Sequence, residues 1–313
     1  MLTKIAHRGW PNVYRLSNGH IELLVTADVG PRILSYGFTG RDNSGANNLF
    51  KEIDADYGQT GGDRFRFVGG HRFWVTPENE ATYFPDNRQV RVAEDSHEVR
   101  FVAPVEDHPI ATNLQKEISL RISPDDSCVT VTHTVTNLGS NIVEHALWAL
   151  TMFAPGGHAI FPLPFRERDN TSLLPESTLV MWPYTDLSDP RWCFGHKNLQ
   201  LAHDSRPTLR REAQKIGLFN PEGWGAYFRN GLLFVKRIYP GLGKVHPDMG
   251  CNYESYTDSE MLEVETLSPL HRLKSKESAA HVERWWLFDG VPRGTGDAWY
   301  NSEILPRVLK TSM

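Results

Sequence analysis

Cysteine is scarce in this sequence, and its scarcity argues against two kinds of structure. The chain has 313 residues and three cysteines, Cys128, Cys193 and Cys251. Their odd number and wide spacing argue against a disulfide framework and against a Cys-x-x-Cys metal site. Free thiols are typical of a reducing compartment, and the N-terminal residues lack the apolar stretch of a signal peptide. We therefore expect a cytoplasmic protein.

Long apolar runs and basic stripes are also missing. No stretch of the sequence approaches the length of a membrane span. The net charge is −5, and acidic and basic residues are interspersed along the chain. A basic stripe would indicate nucleic acid, and a polybasic cluster would indicate an anionic membrane surface. We therefore expect neither nucleic acid nor a membrane as a partner.

The signatures of several enzyme classes are absent too. The sequence has no Gly-x-Ser-x-Gly elbow, no His-Glu-x-x-His pair, no phosphate-binding loop and no dinucleotide fingerprint after a strand. Its histidines do not show the spacing of metal ligands. We therefore predict no cofactor and no metal site, while a cation held by oxygen ligands stays open.

Alternation of apolar and polar residues with a period of two dominates what is present. This pattern predicts β-strands, because successive side chains of a strand point to opposite faces. Helical periodicity is weak, and we expect one short helix over 301–309. The predicted strands lie at 21–26, 90–93, 99–102, 114–122, 128–135, 143–150, 231–237, 261–267 and 281–288.

Two turn sequences join three of these strands into a predicted antiparallel meander. Residues 123–127, Ser-Pro-Asp-Asp-Ser, favour a chain reversal, and residues 137–141 join the next pair. Strands recur along the whole chain without a shift in composition or a Gly/Ser-rich linker. About fifteen or more strands must stack as two sheets, because large open sheets split or curl. We predict an all-β fold, an antiparallel β-sandwich with few short helices, as one domain over 1–313.

Aromatic residues are in excess, with nine Trp, ten Tyr and fifteen Phe. Most of them are expected in the core, because aromatic side chains bury large areas. Several lie near turn signals, however, where a ring is free to meet a ligand. Flat apolar rings stack well on the C–H faces of sugars, which makes Trp74 and Trp182 candidate sugar-binding residues.

A first candidate site lies in segment 69–74, Gly-Gly-His-Arg-Phe-Trp. The glycines allow a tight turn or a close approach of the backbone to a ligand. In a strand, His71 and Phe73 share one face, and Arg72 and Trp74 share the other. The functional interpretation is that His71 or Arg72 donates hydrogen bonds to sugar hydroxyls. The structural alternative is an Arg72 ion pair and a buried histidine, and the pattern favours neither.

Two glutamates in segment 263–265, Glu-Val-Glu, form a second candidate site. Glu263 and Glu265 share one face of a predicted strand within an otherwise apolar run. Burying two carboxylates is costly unless the face opens onto a polar cleft or meets basic partners. A carboxylate there could act as a general base, with its pKa set by burial and neighbours. The alternative is a set of cross-strand ion pairs with arginine or lysine.

A polar, aromatic loop over 246–256 leads into this strand and forms a third candidate site. It contains Asp248 and Glu254, and loops provide ligand contacts more often than strands do. Lys236, on the strand before the loop, could counter a nearby carboxylate. The alternative is a surface loop in which Asp and Asn residues form turns.

The order of these motifs resembles that of the galactose mutarotase (aldose 1-epimerase) superfamily. Residues 21–38 resemble its opening strands, and residues 69–74 its Gly-Gly segment with substrate-binding residues. Residues 129–137, which end in Thr-Asn, resemble the strand that precedes its catalytic histidine. Residues 262–266, Leu-Glu-Val-Glu-Thr, resemble its late strand with the general base, and residues 276–285 its final strand. The resemblance covers most of the chain and implies a β-supersandwich with the ligand in a concave cleft.

One motif of the superfamily has no counterpart. Its catalytic histidine should fall near residues 147–153, Leu-Trp-Ala-Leu-Thr-Met-Phe, which contain none. His145 precedes this stretch and His158 follows it. The chain therefore resembles a branch that lacks this histidine more than it resembles the aldose 1-epimerases themselves.

The resemblance implies an isomerase that acts at the anomeric carbon of a sugar. Glu265 takes the role of general base, and His71 or His246 would replace the missing acid. Other residues would hold sugar hydroxyls or stack on the ring. These substrate-binding candidates are Arg72, Trp74, Trp182, Lys236, Asp248, Glu254 and Glu263.

Two other functions stay open. A carbohydrate-binding or sensing protein without catalysis is favoured by the missing histidine. A sugar lyase or hydrolase is the third alternative, because this fold is also used by carbohydrate-processing enzymes. In every case we expect a sugar or oligosaccharide as the ligand, and a monomer or a homodimer.

Overall fold

A computed structural model gives the fold over residues 2–43, 47–53, 65–96, 98–107, 113–164, 173–204 and 213–313. Strands dominate these ranges, as the alternation predicts, and a 3₁₀ helix spans Glu80–Tyr83. We number the strands along the chain. They are β1 (Leu2–His7), β2 (Trp10–Ser17), β3 (Ile21–Thr26), β4 (Arg32–Phe38), β5 (His71–Thr76), β6 (Arg91–Glu94), β7 (Val99–Val102), β8 (Leu114–Ile122), β9 (Val129–Asn137), β10 (Val143–Phe153), β11 (His158–Pro162), β12 (Leu179–Met181), β13 (Trp192–Phe194), β14 (Asn198–Ala202), β15 (Gln214–Leu218), β16 (Trp224–Arg229), β17 (Leu232–Ile238), β18 (Tyr253–Thr257), β19 (Leu262–Leu267), β20 (His271–Leu273) and β21 (Ser278–Phe288).

The strands of the described residues form two antiparallel sheets. The first has 11 strands in the order β1-β2-β3-β4-β5-β10-β19-β18-β15-β12, with β20 paired to β10. The second has 10 strands in the order β13-β14-β11-β16-β17-β21-β9-β8-β7-β6. The predicted all-β, antiparallel sandwich is confirmed. Each sheet contains strands from both halves of the chain. This is what a single domain over 1–313 requires, and the single domain stays a prediction.

The main hydrophobic core lies between the two sheets. Phe73, Phe153 and Val264 enter it from the first sheet, and Phe234 and Trp285 from the second. Burial of such side chains is the dominant favourable term in folding, at about 25 cal/mol per Å² of apolar surface. Because side chains alternate along a strand, each central strand of the first sheet also presents a second set of residues to its outer face.

Strand β10 corrects the predicted meander. β8 and β9 form the expected antiparallel pair, but β10 pairs with β5 and β19 in the other sheet. The burial patterns explain the difference, because β9 is buried at every second residue whereas β10 is buried on both faces from Ala146 onward. Such a strand suits the middle of a sheet that is covered on both sides. Asn137 holds the crossover by donating to the carbonyls of Asn141 and Leu273 at 2.8 and 3.0 Å.

The C-terminal segment is helical, as predicted, but its helix begins earlier. It consists of α1 (Gly296–Trp299), a π-helical turn (Tyr300–Ile304) and α2 (Leu305–Val308). Trp299 and Ile304 pack against the outer face of the second sheet. None of the helices in the described ranges has the length and apolar character needed to cross a membrane.

Candidate functional site

A cleft of about 930 Å³ opens on the outer face of the first sheet. Its floor is formed by side chains of β5, β10 and β19 that point away from the core, such as Arg72, Leu150 and Glu263. Alternation explains this placement, because the adjacent residues Phe73 and Val264 point into the core. The residues that line the cleft are Arg8, Lys51, Glu52, Ile53, Arg66, Phe67, Arg72, Trp74, Glu78, Tyr83, Trp148, Leu150, Met152, Tyr184, Lys215, Tyr256, Asp258, Glu260, Met261 and Glu263.

Strand register gathers charged side chains at the centre of this face. Arg72 of β5 lies opposite Leu150 of β10, which in turn lies opposite Glu265 of β19. Glu265 then lies opposite Glu254 of β18. Directly opposite residues on neighbouring strands are about 5 Å apart, so these side chains interact. We use the term cleft cluster for the five charged residues of this region, Arg72, Lys215, Glu254, Glu263 and Glu265.

Arg72 and Glu263 meet in the middle of the cleft. Nη2 of Arg72 lies 3.2 Å from Oε1 of Glu263, and the two side chains are 5% and 6% exposed. The guanidinium also stacks on Trp74, with Cζ 4.1 Å from the ring centroid. Within the described part of the chain, no group hydrogen-bonds Arg72 Nε, Arg72 Nη1, Trp74 Nε1 or Glu263 Oε1. Glu263 Oε1 has only its ion-pair contact with Arg72 there, and the other three atoms have no hydrogen-bond partner. Buried polar atoms without hydrogen bonds are destabilising, so these four atoms suit a ligand or water.

Lys215 completes the cleft cluster, and sequence analysis missed it. Its Nζ lies 2.7 Å from Oε2 of Glu254 and 3.2 Å from Oε2 of Glu265. Nε1 of Trp148 donates to the same oxygen of Glu265 at 2.8 Å. The sequence feature that indicates this strand is Lys-Ile-Gly-Leu in β15. The strand was not predicted because it is short and follows a run rich in Pro, Ser and Asp.

Burial shifts the pKa values of the cleft cluster. It raises the pKa of Glu263 to about 7, against the opposing charge of Arg72. It also raises the pKa of Glu254 well above its ordinary value, despite Lys215. Burial alone would lower the pKa of Lys215, but the carboxylates of Glu265 and Glu254 outweigh it and raise that pKa. Three carboxyl groups and two cations are neutral together when one carboxyl is protonated, so the cluster favours retaining one such proton near neutral pH.

Glu265, the general base expected from the resemblance, lies beneath the cleft floor. It is fully buried, and its Oε2 is covered by Trp148 and Lys215. Glu263, two residues earlier on the same face, lines the cleft. Of the two predicted glutamates, Glu263 is therefore better placed to touch a ligand.

Three further predicted residues lie behind the lining of the cleft. Glu254 is buried and paired with Lys215. Trp182 packs against the same ammonium group, with its ring centroid 4.8 Å from Nζ. Asp248 accepts a hydrogen bond from Oγ1 of Thr76 at 3.2 Å. In these positions they support the cleft cluster rather than line the cleft.

Two predicted site residues, His71 and Lys236, lie outside the lining of the cleft. Both point between the sheets and are fully buried. Nδ1 of His71 lies 2.8 Å from Oγ1 of Thr151, and Nε2 of His71 lies 2.7 Å from Nε2 of His133. Lys236 Nζ lies 3.0 Å from Oε1 of Glu283. His71 and Arg72 lie on opposite faces of β5, as predicted. Because both residues are polar, the sequence does not show which of the two faces points into the core.

These side chains belong to a second polar group between the sheets. We use the term inter-sheet cluster for His71, His133, Lys236, His281 and Glu283. Burial lowers the pKa values of His133 and His281 to about 3, so both rings are neutral near pH 7. His71, His133 and Glu283 offer ligand atoms within 4.8 Å of one another. Those atoms already have protein partners, however, and Lys236 balances the charge of Glu283, so the cluster suits a structural role better than a metal site.

Apolar side chains face the cleft from residues 147–153, where the sequence resemblance predicts a histidine and the chain has none. Trp148, Leu150 and Met152 of β10 face the cleft there. No histidine is among the described residues that line the cleft. His246, the alternative acid of the sequence prediction, packs against Phe219 with their ring centroids 5.4 Å apart.

Comparison with known proteins establishes the fold. No protein-family model matches the sequence, and no curated protein matches it either. The galactose mutarotase-like protein from Lactobacillus casei matches with 88% of this chain and 100% of that chain covered, a TM-score of 0.54 and 14% identity. The galactose mutarotase related enzyme from Lactobacillus acidophilus matches with 90% of this chain and 99% of that chain covered, a TM-score of 0.50 and 9% identity. The Slr1438 protein from Synechocystis matches with 92% of this chain and 99% of that chain covered, a TM-score of 0.56 and 10% identity.

The structural neighbours are mostly galactose mutarotase-like proteins. The predicted resemblance is thus confirmed for the fold. Sequence identities this low concern the fold alone, because one fold supports many functions. Function must therefore be argued from the cleft.

Proposed function

We propose that the cleft binds a sugar and interconverts its anomers, and that Glu263 transfers the protons. The galactose mutarotase-like fold supports a sugar as the ligand class. The observation that most supports the proposal is the Arg72–Glu263 pair, a nearly buried ion pair that lines the cleft. Its unpartnered atoms within the described chain are suited to hydroxyl groups.

The unpartnered atoms match the chemistry of a sugar. Arg72 Nε, Arg72 Nη1 and Trp74 Nε1 are donors, and Glu263 Oε1 is an acceptor when ionised. A sugar hydroxyl both donates and accepts, so it can satisfy either kind of atom. Trp74 and Trp148 also line the cleft and form part of its apolar surface, which suits the C–H groups of a sugar ring.

A single protonated carboxyl group can open the sugar ring. Ring opening requires a proton to leave O1 and a proton to reach the ring oxygen O5. Both oxygens are bonded to C1, so one carboxyl group reaches both. Its carbonyl oxygen accepts the O1 proton while its hydroxyl gives a proton to O5, C1–O1 becomes a carbonyl, and the C1–O5 bond breaks. Rotation about C1–C2 and the reverse transfer close the ring on the other face and restore the carboxyl group.

The rest of the cleft cluster supports this transfer. Burial raises the pKa of Glu263 to about 7, so its protonated and ionised forms are both populated near neutral pH. The cations of Arg72 and Lys215 stabilise the negative charge that develops on O5 as the C1–O5 bond breaks. Glu254 and Glu265 hold Lys215 in place. This mechanism needs no separate histidine acid.

Two isosteric substitutions test the assignment. Glu263→Gln removes the transferable proton, so we expect anomer exchange of glucose or galactose to fall at least about 100-fold, as for other positioned acid–base groups. Glu265→Gln is the matched control on the same face. We expect it to retain exchange within about tenfold, because an amide still accepts the Trp148 hydrogen bond. Exchange is measured by NMR or polarimetry. Loss of exchange in the control alone would return the catalytic role to Glu265.

The pH profile distinguishes the protonated carboxyl group from a simple base. With a pKa of about 7, Glu263 loses its proton as the pH rises through neutrality. Exchange by the protonated form therefore decreases from about pH 6 to about pH 8, whereas exchange by a carboxylate base increases over the same range.

Sugar binding without catalysis is the second candidate function. It is favoured by the absence of histidine from the described residues that line the cleft. In that case calorimetry detects sugar binding, while NMR detects no faster exchange of anomers. A lyase or hydrolase would instead release unsaturated products or new reducing ends.

A further inference from the structure

A second buried polar group lies in the lining of the cleft, on the segment that pairs with Gly69. Glu52 lines the cleft, and its side chain is 3% exposed. Its Oε1 lies 2.6 Å from Nε2 of His7. Its Oε2 has no hydrogen-bond partner within the described ranges, since the nearest cation, Nη1 of Arg8, is 3.9 Å away. This oxygen suits a ligand as Glu263 Oε1 does.

The two polar positions are separated along one strand direction. Glu52 forms a β-bridge with Gly69, which precedes Arg72 by three residues. Three residues span at most about 10 Å when fully extended, and Gly69 and Gly70 have positive φ, so the backbones at the two positions lie within about 10 Å of each other. A ligand seated at the Arg72–Glu263 position and extended toward Gly69 would therefore meet Glu52.

The size of the cleft agrees with such an extended ligand. Its volume of about 930 Å³ is near the upper end of the usual range for small-molecule sites, about 300–1,000 Å³. A monosaccharide at Arg72 leaves the Glu52 end unfilled. We propose that Glu52 forms a second subsite, and that the cleft binds a reducing disaccharide or a longer oligosaccharide with its reducing end at Glu263.

The charges at this end favour a neutral sugar residue. Outside the cleft cluster, the described residues that line the cleft include both cations and carboxylates, and Lys51 Nζ lies 3.5 Å from Oε2 of Glu260. The unpartnered atom is itself a carboxylate oxygen, which would repel a phosphate or a uronic acid. A sugar hydroxyl, by contrast, donates to such an oxygen.

The inference depends on sugar binding in the cleft and is tested by comparing sugars of different length. Calorimetry with the whole protein measures binding affinity. The affinity for glucose is compared with the affinities for maltose, cellobiose and lactose, and the affinity for galactose with that for 4-galactobiose. We expect at least one disaccharide to bind at least tenfold more tightly than the matching monosaccharide. Monosaccharides that bind as tightly as every disaccharide would overturn the second subsite and leave the proposed function intact. If no sugar binds, both fail together.

A matched pair of variants locates the subsite. Glu52→Gln keeps the size of the side chain and removes its charge, and we expect it to reduce the disaccharide-to-monosaccharide affinity ratio at least fivefold. Glu22→Gln is the control, because Glu22 pairs with Arg15 at 2.6 Å on β2 and β3, outside the cleft lining. An unchanged ratio in Glu52→Gln would overturn the assignment of this residue. The wild-type ratio remains decisive if that variant fails to fold.

Discussion

The cleft cluster and the inter-sheet cluster lie back to back on the same strands. His71 and Arg72 are consecutive on β5, yet one points between the sheets and the other into the cleft. In the inter-sheet cluster, no buried side-chain atom lacks a hydrogen-bond partner among the described residues. In the cleft cluster, Arg72, Glu254, Glu263 and Glu265 all retain buried atoms without one in those ranges. Burial alone therefore does not identify a functional site, whereas unsatisfied hydrogen-bonding capacity that faces a cleft does.

Matched substitutions of one cation in each cluster provide the strongest test of this comparison. Lys236→Met leaves Glu283 buried without its counter-ion, so we expect the free energy of unfolding to fall by about 3–5 kcal/mol. Arg72→Met also leaves a buried carboxyl group, that of Glu263, without its partner. The pKa of Glu263 is already raised to about 7, so it can neutralise itself by taking up a proton, and we expect a smaller loss of about 1–2 kcal/mol. Sugar affinity, in contrast, should fall at least tenfold in Arg72→Met, because its hydrogen bonds to the ligand are lost. Urea unfolding and calorimetry measure the two quantities.

An exposed ion pair serves as the control for both variants. Arg41 and Asp289 are 2.5 Å apart and about half exposed, so Arg41→Met should lower the free energy of unfolding by less than about 1 kcal/mol. Equal losses of stability in Lys236→Met and Arg72→Met would remove the distinction between the clusters.

The two clusters should also respond to pH in opposite directions. The pKa values of His133 and His281 are lowered by burial from 6.5 to about 3, so the unfolded state binds more protons and stability is lost as the pH falls from 6.5. The pKa of Glu263 is raised by burial from 4.5 to about 7, so the folded state binds more protons and stability is lost as the pH rises through that range.

Urea unfolding at several pH values separates the two contributions. Glu263→Gln should remove part of the loss of stability that accompanies the rise from pH 4.5 to about 7. It should not change the loss of stability at acid pH, which is caused by protonation of His133 and His281. A variant that changes only the acid limb would contradict the assignment of these pKa shifts.

Sequence alternation predicts much of the fold because burial on one face is a local property. The strand predicted at 114–122 coincides with β8, and that at 21–26 with β3. The location of β10 could not be predicted in the same way, since its partners β5 and β19 are far away in the chain. An apolar run on both faces indicates a central strand, but not the sheet to which it belongs.

The candidate site was predictable in its residue types and not in its geometry. Arg72, Trp74 and Glu263 stand out because polar or aromatic residues interrupt apolar strands, and all three line the cleft. The choice between Glu263 and Glu265 depends on Lys215 and Trp148, which cover Glu265. Those contacts depend on the register of four strands, β10, β19, β18 and β15, which no single segment specifies.

A crystal structure of the protein soaked with a reducing sugar that it binds tests the central claim most directly. The account predicts sugar hydroxyls hydrogen-bonded to Arg72 Nε and Nη1 and to Trp74 Nε1, with the Glu263 carboxyl group beside O1 and O5. A sugar bound elsewhere, or an Arg72 whose N–H groups all pair with protein atoms, would contradict it.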